Sequence, residues 1–356
     1  MRRLPCIVVL RWKIMHSNNP KLALTLGDPA GIGPEIIVAG WHDIISKIPC
    51  KPIVYGHPEF LVRAMKLRGI KHEIQIIETP NQAEPSEEQI PCINTSSDDV
   101  LSIRSGEIDA RAGEAAYHSI VTATVHALLK KVDALVTAPI NKKSLNLAGC
   151  HHPGHTELIA ERCGVTNFAM MLYIASSEQI LSPAGLAVVH VTLHTALSKV
   201  FDEIRIDSIL AKIRMAHEFM LPIKGTTPHI GVCSLNPHAG EMGLFGHEEM
   251  TCIEPAVKLA REEGIHVEGP FPADTIMVDA KNGRFDAVVA MFHDQGHIAL
   301  KLLGMHNAVN ITLGLPIIRT SVAHGTAFDR AWQGTADPGS MIEAVRIATI
   351  LAKHPR

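Results

Sequence analysis

Two imidazoles, a carboxylate and a carboxamide crowd together at His293, Asp294, Gln295 and His297, with only Gly296 for slack. They follow an apolar, Val-rich run from Ala287 to Met291 that reads as a buried strand. In α/β proteins ligands bind beyond the carboxyl ends of strands, where this loop is expected. Two more strand-like runs end on a histidine: His190 in AVVHVTLH and His238 in LNPHAGE. Three imidazoles with one open position make a catalytic rather than a structural metal site. The three lie far apart in the chain, so spacing alone leaves the set open, with His194 and His297 nearly as eligible. A single strand-end His is more often structural than a ligand.

Other stretches suit an anion. His155 and Thr156, in a Gly- and Pro-rich segment, either donate hydrogen bonds to an anion or open a plain loop and helix, with Thr156 as N-cap. Lys301, Asn310 and Arg319 flank a further strand. Lys offers a point charge and Arg a planar fork for phosphate oxygens. Arg319 stands in an apolar run where an unpaired cation is costly, so it needs a bound phosphate or an acidic side chain. The stretch from His324 through Gly325, Thr326 and Ala327 to Asp337 is a glycine-interrupted loop before a final helix.

The elements that must position these groups alternate. Strands are expected near 21–26, 52–55, 133–137, 186–189, 229–235 and 310–313, and helices near 59–68 and 109–131. Residues 79–97 are polar and Pro-containing and read as a surface loop. The βα alternation predicts an α/β fold with a mainly parallel sheet. Gly31 and Gly33 invite a dinucleotide fingerprint, but its third glycine falls on Ile36 and the motif fails. A tight strand-to-helix turn near a site fits better, with Pro34 in the first helical turn.

Composition narrows the class. The 356 residues suffice for two domains or one large one, and 46% hydrophobic with 19% charged residues marks a globular chain. A net charge of −3 without a basic block, and 4% aromatics, argue against nucleic acid. Seven scattered Cys without a CxxC pair point to reduced thiols. No stretch approaches a membrane span. The run Cys6 to Leu10 is too short for a secretion signal and is followed by Arg11 and Lys13. Translation starts at Met1 or at Met15, the second making residues 1–14 an upstream extension. The expected location is the cytoplasm.

GDPAGIGPE, VTAPINK, PGHTEL, NPHAGE, PADT, AMFHDQGHIALK and VNITLGLPIIRTS, followed by HGTA, closely resemble the 4-hydroxythreonine-4-phosphate dehydrogenases, in order from about Lys21 to near the C-terminus. The resemblance implies an isocitrate/isopropylmalate dehydrogenase-like fold: two α/β domains with the active-site cleft between them. Residues 15–148 plus 313–356 form one domain, on the NAD side. Residues 149–312 form the other, for dimerisation, metal and substrate. It implies a homodimer whose sites are shared between subunits, NAD, and one divalent metal ion (Zn, Co or Mg) per site. By motif, the metal ligands are His190, His238 and His293, and the substrate contacts His155, Thr156, Lys301, Asn310 and Arg319. Asp274, Lys142 and Asp294 are candidate bases, Asp294 better placed to orient a ligand His. His324, Gly325, Thr326, Ala327 and Asp337 belong to the stretch that resembles the cofactor loop of the broader superfamily.

PGHTEL, GLFG, GHIALKLLG and TAFDRAW look closer to the subgroup that acts on D-threonate and D-erythronate 4-phosphate. The reaction implied is oxidation at C3 and loss of carbon dioxide, giving dihydroxyacetone phosphate. The alternatives are 4-phosphohydroxy-L-threonine dehydrogenation for pyridoxal phosphate synthesis, and a phosphate acetyltransferase-like enzyme.

Overall fold

A computed structural model of the chain describes residues 19–304 and 308–354. The choice between Met1 and Met15 as the start lies outside these residues. The strands are β1 (Lys21–Thr25), β2 (Lys51–Tyr55), β3 (Glu73–Ile76), β4 (Gln89–Ile93), β5 (Ala134–Thr137), β6 (Ala169–Ile174), β7 (Leu186–His190), β8 (Ile230–Cys233), β9 (Val267–Phe271), β10 (Ala287–Ala290), β11 (Val309–Leu313) and β12 (Ile318–Val322). The α-helices are α1 (Gly33–Lys47), α2 (Pro58–Arg68), α3 (Ala110–Leu128), α4 (Lys142–Leu147), α5 (His155–Arg162), α6 (Leu197–Glu203), α7 (Ile206–Lys224), α8 (Glu254–Glu262), α9 (Ala273–Lys281), α10 (His293–Gly304) and α11 (Gly339–Lys353).

Among the described residues one sheet holds all twelve strands, in the order β3-β4-β2-β1-β5-β12-β11-β6-β7-β10-β8-β9. The α/β class expected from βα alternation is present. β5, β7 and β10 are buried along their whole length and apolar up to the Thr137 and His190 that close the first two, as suits strands covered by helices on both faces. The helix ends follow local chemistry. Asp109 caps α3 by accepting from Arg111 N, and α2 stops on Gly69 at φ 66°.

The sheet is mainly parallel, as expected, with three antiparallel pairings at its centre. β11 runs antiparallel to both β12 and β6, and β6 antiparallel to β7. Only a few residues join β11 to β12 and no helix separates β6 from β7, so neither pair has the crossover that parallel pairing needs. The stretch 79–97 is not only loop. β4 lies within it, its Ile90 and Cys92 facing the core while the polar residues around them mask the strand. The His293–His297 segment is not a loop either but the opening turns of α10.

Candidate active site

Helix α10 leaves the end of β10 and sets His293, His297 and Lys301 at i, i+4 and i+8, one above another on one face. The rings of His293 and His297 stack at 3.8 Å. Asp294 Oδ1 lies 2.6 Å from His293 Nδ1, which fixes that ring and leaves Nε2 to bind. Gln295 holds the turn down: its Oε1 accepts from Met291 N at 2.7 Å and its Nε2 donates to Ser234 O at 2.8 Å. At Gly296 the helix meets β7. A β-carbon there would stand 2.5 Å from Val188 Cγ1 and 2.6 Å from His190 Nε2.

His190 closes β7 and is buried, its Nδ1 3.4 Å from Met170 O and its Nε2 3.0 Å from His297 Nδ1. Burial lowers His190 to about 4 and His297 to about 3. Both rings are therefore neutral at neutral pH, the state in which imidazole ligates a metal. The donor set of His190 and His293, with His297 beside them, thus fits a divalent ion of the first transition row. His238 does not join this cluster within the chain. It sits exposed where φ stays positive from His238 to Met242, with Phe245 as its ring neighbour at 6.1 Å. His297 lies beside His190 instead, hydrogen-bonded to it.

Arg319 is fully buried in β12. Its guanidinium donates to Thr137 Oγ1 at 2.8 Å, Thr312 Oγ1 at 3.0 Å and Thr156 Oγ1 at 3.5 Å. Its Nε has no partner, and among the described residues no carboxylate forms an ion pair with it. Burial lowers Arg319 to about 10, with Glu157 opposing, so it stays charged at neutral pH. The acidic partner that sequence left open is absent, and the cradle is one of hydroxyls. Each hydroxyl accepts from Arg319 and keeps its own proton to donate.

The guanidinium and the imidazoles are joined by two elements. Thr312 pairs with Arg319 on one side and with Met170 on the other, and Met170 O meets His190. On α5, Glu157 adjoins Thr156 and its Oε1 lies 3.4 Å from His194 Nδ1, and the His194 ring lies 6.3 Å from that of His293. The His194 hydrogen bond holds Glu157 below the usual carboxylate range. Neither Thr137 nor Glu157 stands out in the sequence. Only the density of polar residues in PGHTEL hinted at the second.

Three expected contacts change character. Thr156 is not an N-cap: α5 begins at His155 with Gly154 before it, and the Thr156 hydroxyl turns to Arg319. His155 Nε2 donates to Ala138 O at 3.0 Å, and burial with the nearby Arg319 charge lowers the ring to about 3. Nδ1 is therefore an acceptor, not a donor to an anion. Asn310 donates to Met170 Sδ, which leaves its buried Oδ1 without a partner. Lys301 is exposed on α10.

Of the candidate bases, Asp294 is committed to His293, and Asp274 is exposed in the first turn of α9. Lys142 opens α4 beside the cluster. A β-carbon on Gly154 would lie 3.7 Å from Lys142 Cε and 3.6 Å from Glu157 Oε2.

The glycine turn after β1 and the stretch 324–337 pack on each other. Ile32 N donates to Thr326 O at 3.1 Å, and a β-carbon on Gly31 would stand 2.9 Å from Thr326 Cβ. Buried Glu35 accepts from Trp332 N at 2.5 Å and Gly334 N at 2.8 Å. The glycines thus allow close packing of two loops rather than a phosphate cradle. Within the stretch, Ala327 has φ 45°, His324 Nδ1 meets Gly325 O at 3.0 Å, and Asp337 accepts from Gly339 N.

Sequence reasoning missed Asp28. It is buried at the end of β1, one oxygen accepting from Ala30 N and the other unpaired. Burial raises it to about 6. A perturbed, half-satisfied carboxylate at this end of a strand is a candidate functional group. Because the folded pKa lies above the unfolded one, its burial weakens stability increasingly as pH rises from 3.8 through about 6. Asp28→Asn is expected to gain about 1–2 kcal/mol at pH 8, a gain that vanishes by about pH 4. Urea unfolding of both proteins across that range checks this, and a gain that persists at low pH contradicts it.

Fold and site together have the form of an α/β enzyme that gathers neutral imidazoles and a buried guanidinium. The family model described as "Pyridoxal phosphate biosynthetic protein PdxA" matches residues 49–348, and the chain belongs to that family. It is 42% identical to the D-threonate 4-phosphate dehydrogenase of Pectobacterium atrosepticum over 332 residues, 93% of this chain and 99% of that protein. It is also 42% identical to the 4-hydroxythreonine-4-phosphate dehydrogenase of Desulforapulum autotrophicum over 341 residues, 95% of this chain and 97% of that one. The crystal structure of 4-hydroxythreonine-4-phosphate dehydrogenase from Klebsiella pneumoniae superposes with a TM-score of 0.78 at 42% identity, covering 93% of this chain and 98% of that one. The protein is a dehydrogenase with the fold of that family. Among the described residues no helix is long and apolar enough to cross a membrane.

Proposed function

We propose that this chain oxidises and decarboxylates a 4-phosphorylated 3-hydroxy acid, with NAD and a divalent metal ion. The substrate favoured is D-threonate 4-phosphate or D-erythronate 4-phosphate, and the products are dihydroxyacetone phosphate and carbon dioxide. The observation that carries this reading is the buried Arg319 in its hydroxyl cradle, linked through Glu157 and His194 to the imidazoles on α10 and β7. A phosphorylated hydroxy acid needs both parts at once. The sugar-acid preference rests on PGHTEL, GLFG, GHIALKLLG and TAFDRAW.

Arg319 takes the phosphate, with the hydroxyl protons of Thr156, Thr137 and Thr312 donating beside it. Lys301 and Asn310 complete the anion site, and His155 Nδ1 accepts from a substrate hydroxyl. His190 and His293 hold the metal ion, with the partner subunit's His238 as third ligand in a homodimer that shares its sites. When bound, the ion supplies Lewis acidity at the substrate hydroxyl and NAD supplies the hydride acceptor. A protein or solvent base would take the hydroxyl proton; Lys142, near Glu157, can do so only as the neutral amine. β1 to β5, with β12 and α11, form one domain and β6 to β11 the other. Packing of Leu158 and Ile159 with Ala23, Ile53 and Leu135 supports placing the first boundary after α5, somewhat beyond 148.

The test is NADH formation with D-threonate 4-phosphate, D-erythronate 4-phosphate and 4-phosphohydroxy-L-threonine separately, with Zn, Co or Mg added. Turnover of a sugar acid phosphate supports the reading. Preference for the amino substrate moves the enzyme to pyridoxal phosphate synthesis. Absence of NADH from all three, with acetyl transfer to phosphate instead, overturns it.

The stretch 324–337 would contact NAD, and Glu35 holds it. Glu35→Gln leaves one of two backbone N–H groups facing a donor, a loss of about 1–3 kcal/mol. KM for NAD is expected to rise about tenfold or more while KM for the phosphorylated substrate stays near wild type. Equal changes in both constants would sink the assignment of this loop to NAD.

A further inference from the structure

A second group of metal-ligating side chains stands at the other end of the strands. Parallel pairing of β8 with β9 sets Ile230 opposite Val267, so His229 and His266 flank one another just before the two strands. His266 and Glu268 are two residues apart along β9, and successive side chains of a strand alternate faces, so both point the same way. The rings of His229 and His266 are parallel at 4.0 Å, and His229 Nε2 lies 2.8 Å from Glu268 Oε1. One ligand atom from each of the three falls within 4.8 Å of the others.

The surroundings hold this set in place. Arg284 donates to the other Glu268 oxygen at 2.8 Å and to Asp279 at 2.7 Å, and it lies over the rings of Phe271 and Phe285. Asp286, which accepts from His229 N, is already bonded to Lys224 and Ser182 as well. Glu268 thus has one oxygen held by Arg284 and the other on His229, and it is the second that a metal ion would take over.

We infer that His229, His266 and Glu268 form a second divalent-metal site, selective for zinc-like ions. Two imidazoles and a carboxylate with a fourth position for water are a ligand set that zinc takes. Tetrahedral zinc needs ligand atoms about 3.3 Å apart, given bonds of about 2.0 Å, with in-plane lone pairs that converge, so the exposed His266 ring swings out of its stack on His229 when the ion binds. The ion replaces the hydrogen bond between His229 and Glu268. The site is structural. It clips β9, the last strand in the sheet order, to β8. It lies at the amino ends of these strands, about 13 Å of strand from the carboxyl ends where the His190 cluster sits.

Zinc titration of chelator-stripped full-length protein tests this, with calorimetry and inductively coupled plasma counting. The His190→Ala/His293→Ala double variant lacks the proposed catalytic ligands, and it is expected to bind one zinc per chain. Adding His266→Ala or Glu268→Gln weakens that zinc by at least about 100-fold. His266 is exposed, so its removal leaves the fold intact. In the otherwise wild-type chain, His266→Ala keeps dehydrogenase activity, and the zinc-induced rise in Tm shrinks to the part that the catalytic site supplies. A double variant that binds no zinc, or whose zinc ignores His266→Ala and Glu268→Gln, overturns the inference. Failure of the catalytic metal reading looks different: the His266→Ala chain then binds no zinc while the double variant still binds one.

Discussion

Arg319→Met is expected to lower kcat/KM for a phosphorylated substrate by about 100- to 1000-fold while leaving the protein folded. The guanidinium is buried without a carboxylate, held by Thr137, Thr312 and Thr156, and one of its nitrogens lacks a partner. An isolated buried cation is costly, and replacing it with an apolar chain of similar size is often neutral for stability. The unfolding free energy should stay within about 2 kcal/mol of wild type, because three hydroxyls lose a donor while the charge penalty disappears. The substrate loses its only fully desolvated cation. Charge pairs buried with a ligand are worth about 2–5 kcal/mol when one partner is cut away. Arg319→Lys should rescue little, since an ammonium cannot reach three hydroxyls and a phosphate with the geometry of a fork. The decisive readout is the ratio of kcat/KM for phosphorylated and dephosphorylated substrate. If Arg319→Met keeps the wild-type ratio, the phosphate binds elsewhere.

The parts of this site legible in the sequence were those set by local rules. The HDQGH segment was marked by residue type, and its position after an apolar run located it at a strand end. The helical spacing of His293, His297 and Lys301 was also there to be read, but the segment resembled a loop because Gly296 broke the apolar pattern. Gly296 is instead required by contact with Val188 and His190, residues more than a hundred positions away. Register was not legible. Thr312 faces Arg319 and Met170 together only because β11 and β6 enter the sheet antiparallel, and β6 and β12 were not recognised as strands. Hydrogen-bond roles were also out of reach. His155 becomes an acceptor because Ala138 O takes its one proton, a partner supplied by a strand end seventeen residues away. Asp28 and Glu35 sat in a glycine-rich motif whose failed dinucleotide fingerprint drew attention to the glycines and away from the two acids.

Mixing two inactive variants should restore activity if the metal ligands come from two subunits. His238→Ala and His293→Ala are each expected to lose at least about 1000-fold in metal-dependent kcat. His238 is exposed on a turn of positive φ, with no hydrogen bond to a core group, so its truncation should leave Tm unchanged. A shared C2 site joins His190 and His293 of one chain with the partner subunit's His238. Unfolding and refolding the two variants together at equal amounts yields about half mixed dimers. In each of these both defects fall in one site and the other is whole, so about a quarter of wild-type sites return. A site built within a single chain from His190, His293 and His297 predicts instead that His238→Ala alone keeps its activity. It also predicts that His297→Ala removes the metal outright, whereas a supporting role for His297 weakens binding by only about 10- to 100-fold. The hydrogen bond between His297 Nδ1 and His190 Nε2 makes this contrast sharp. That proton occupies the lone pair a metal would need, so in a shared site His297 must turn aside or give up the contact when the ion binds.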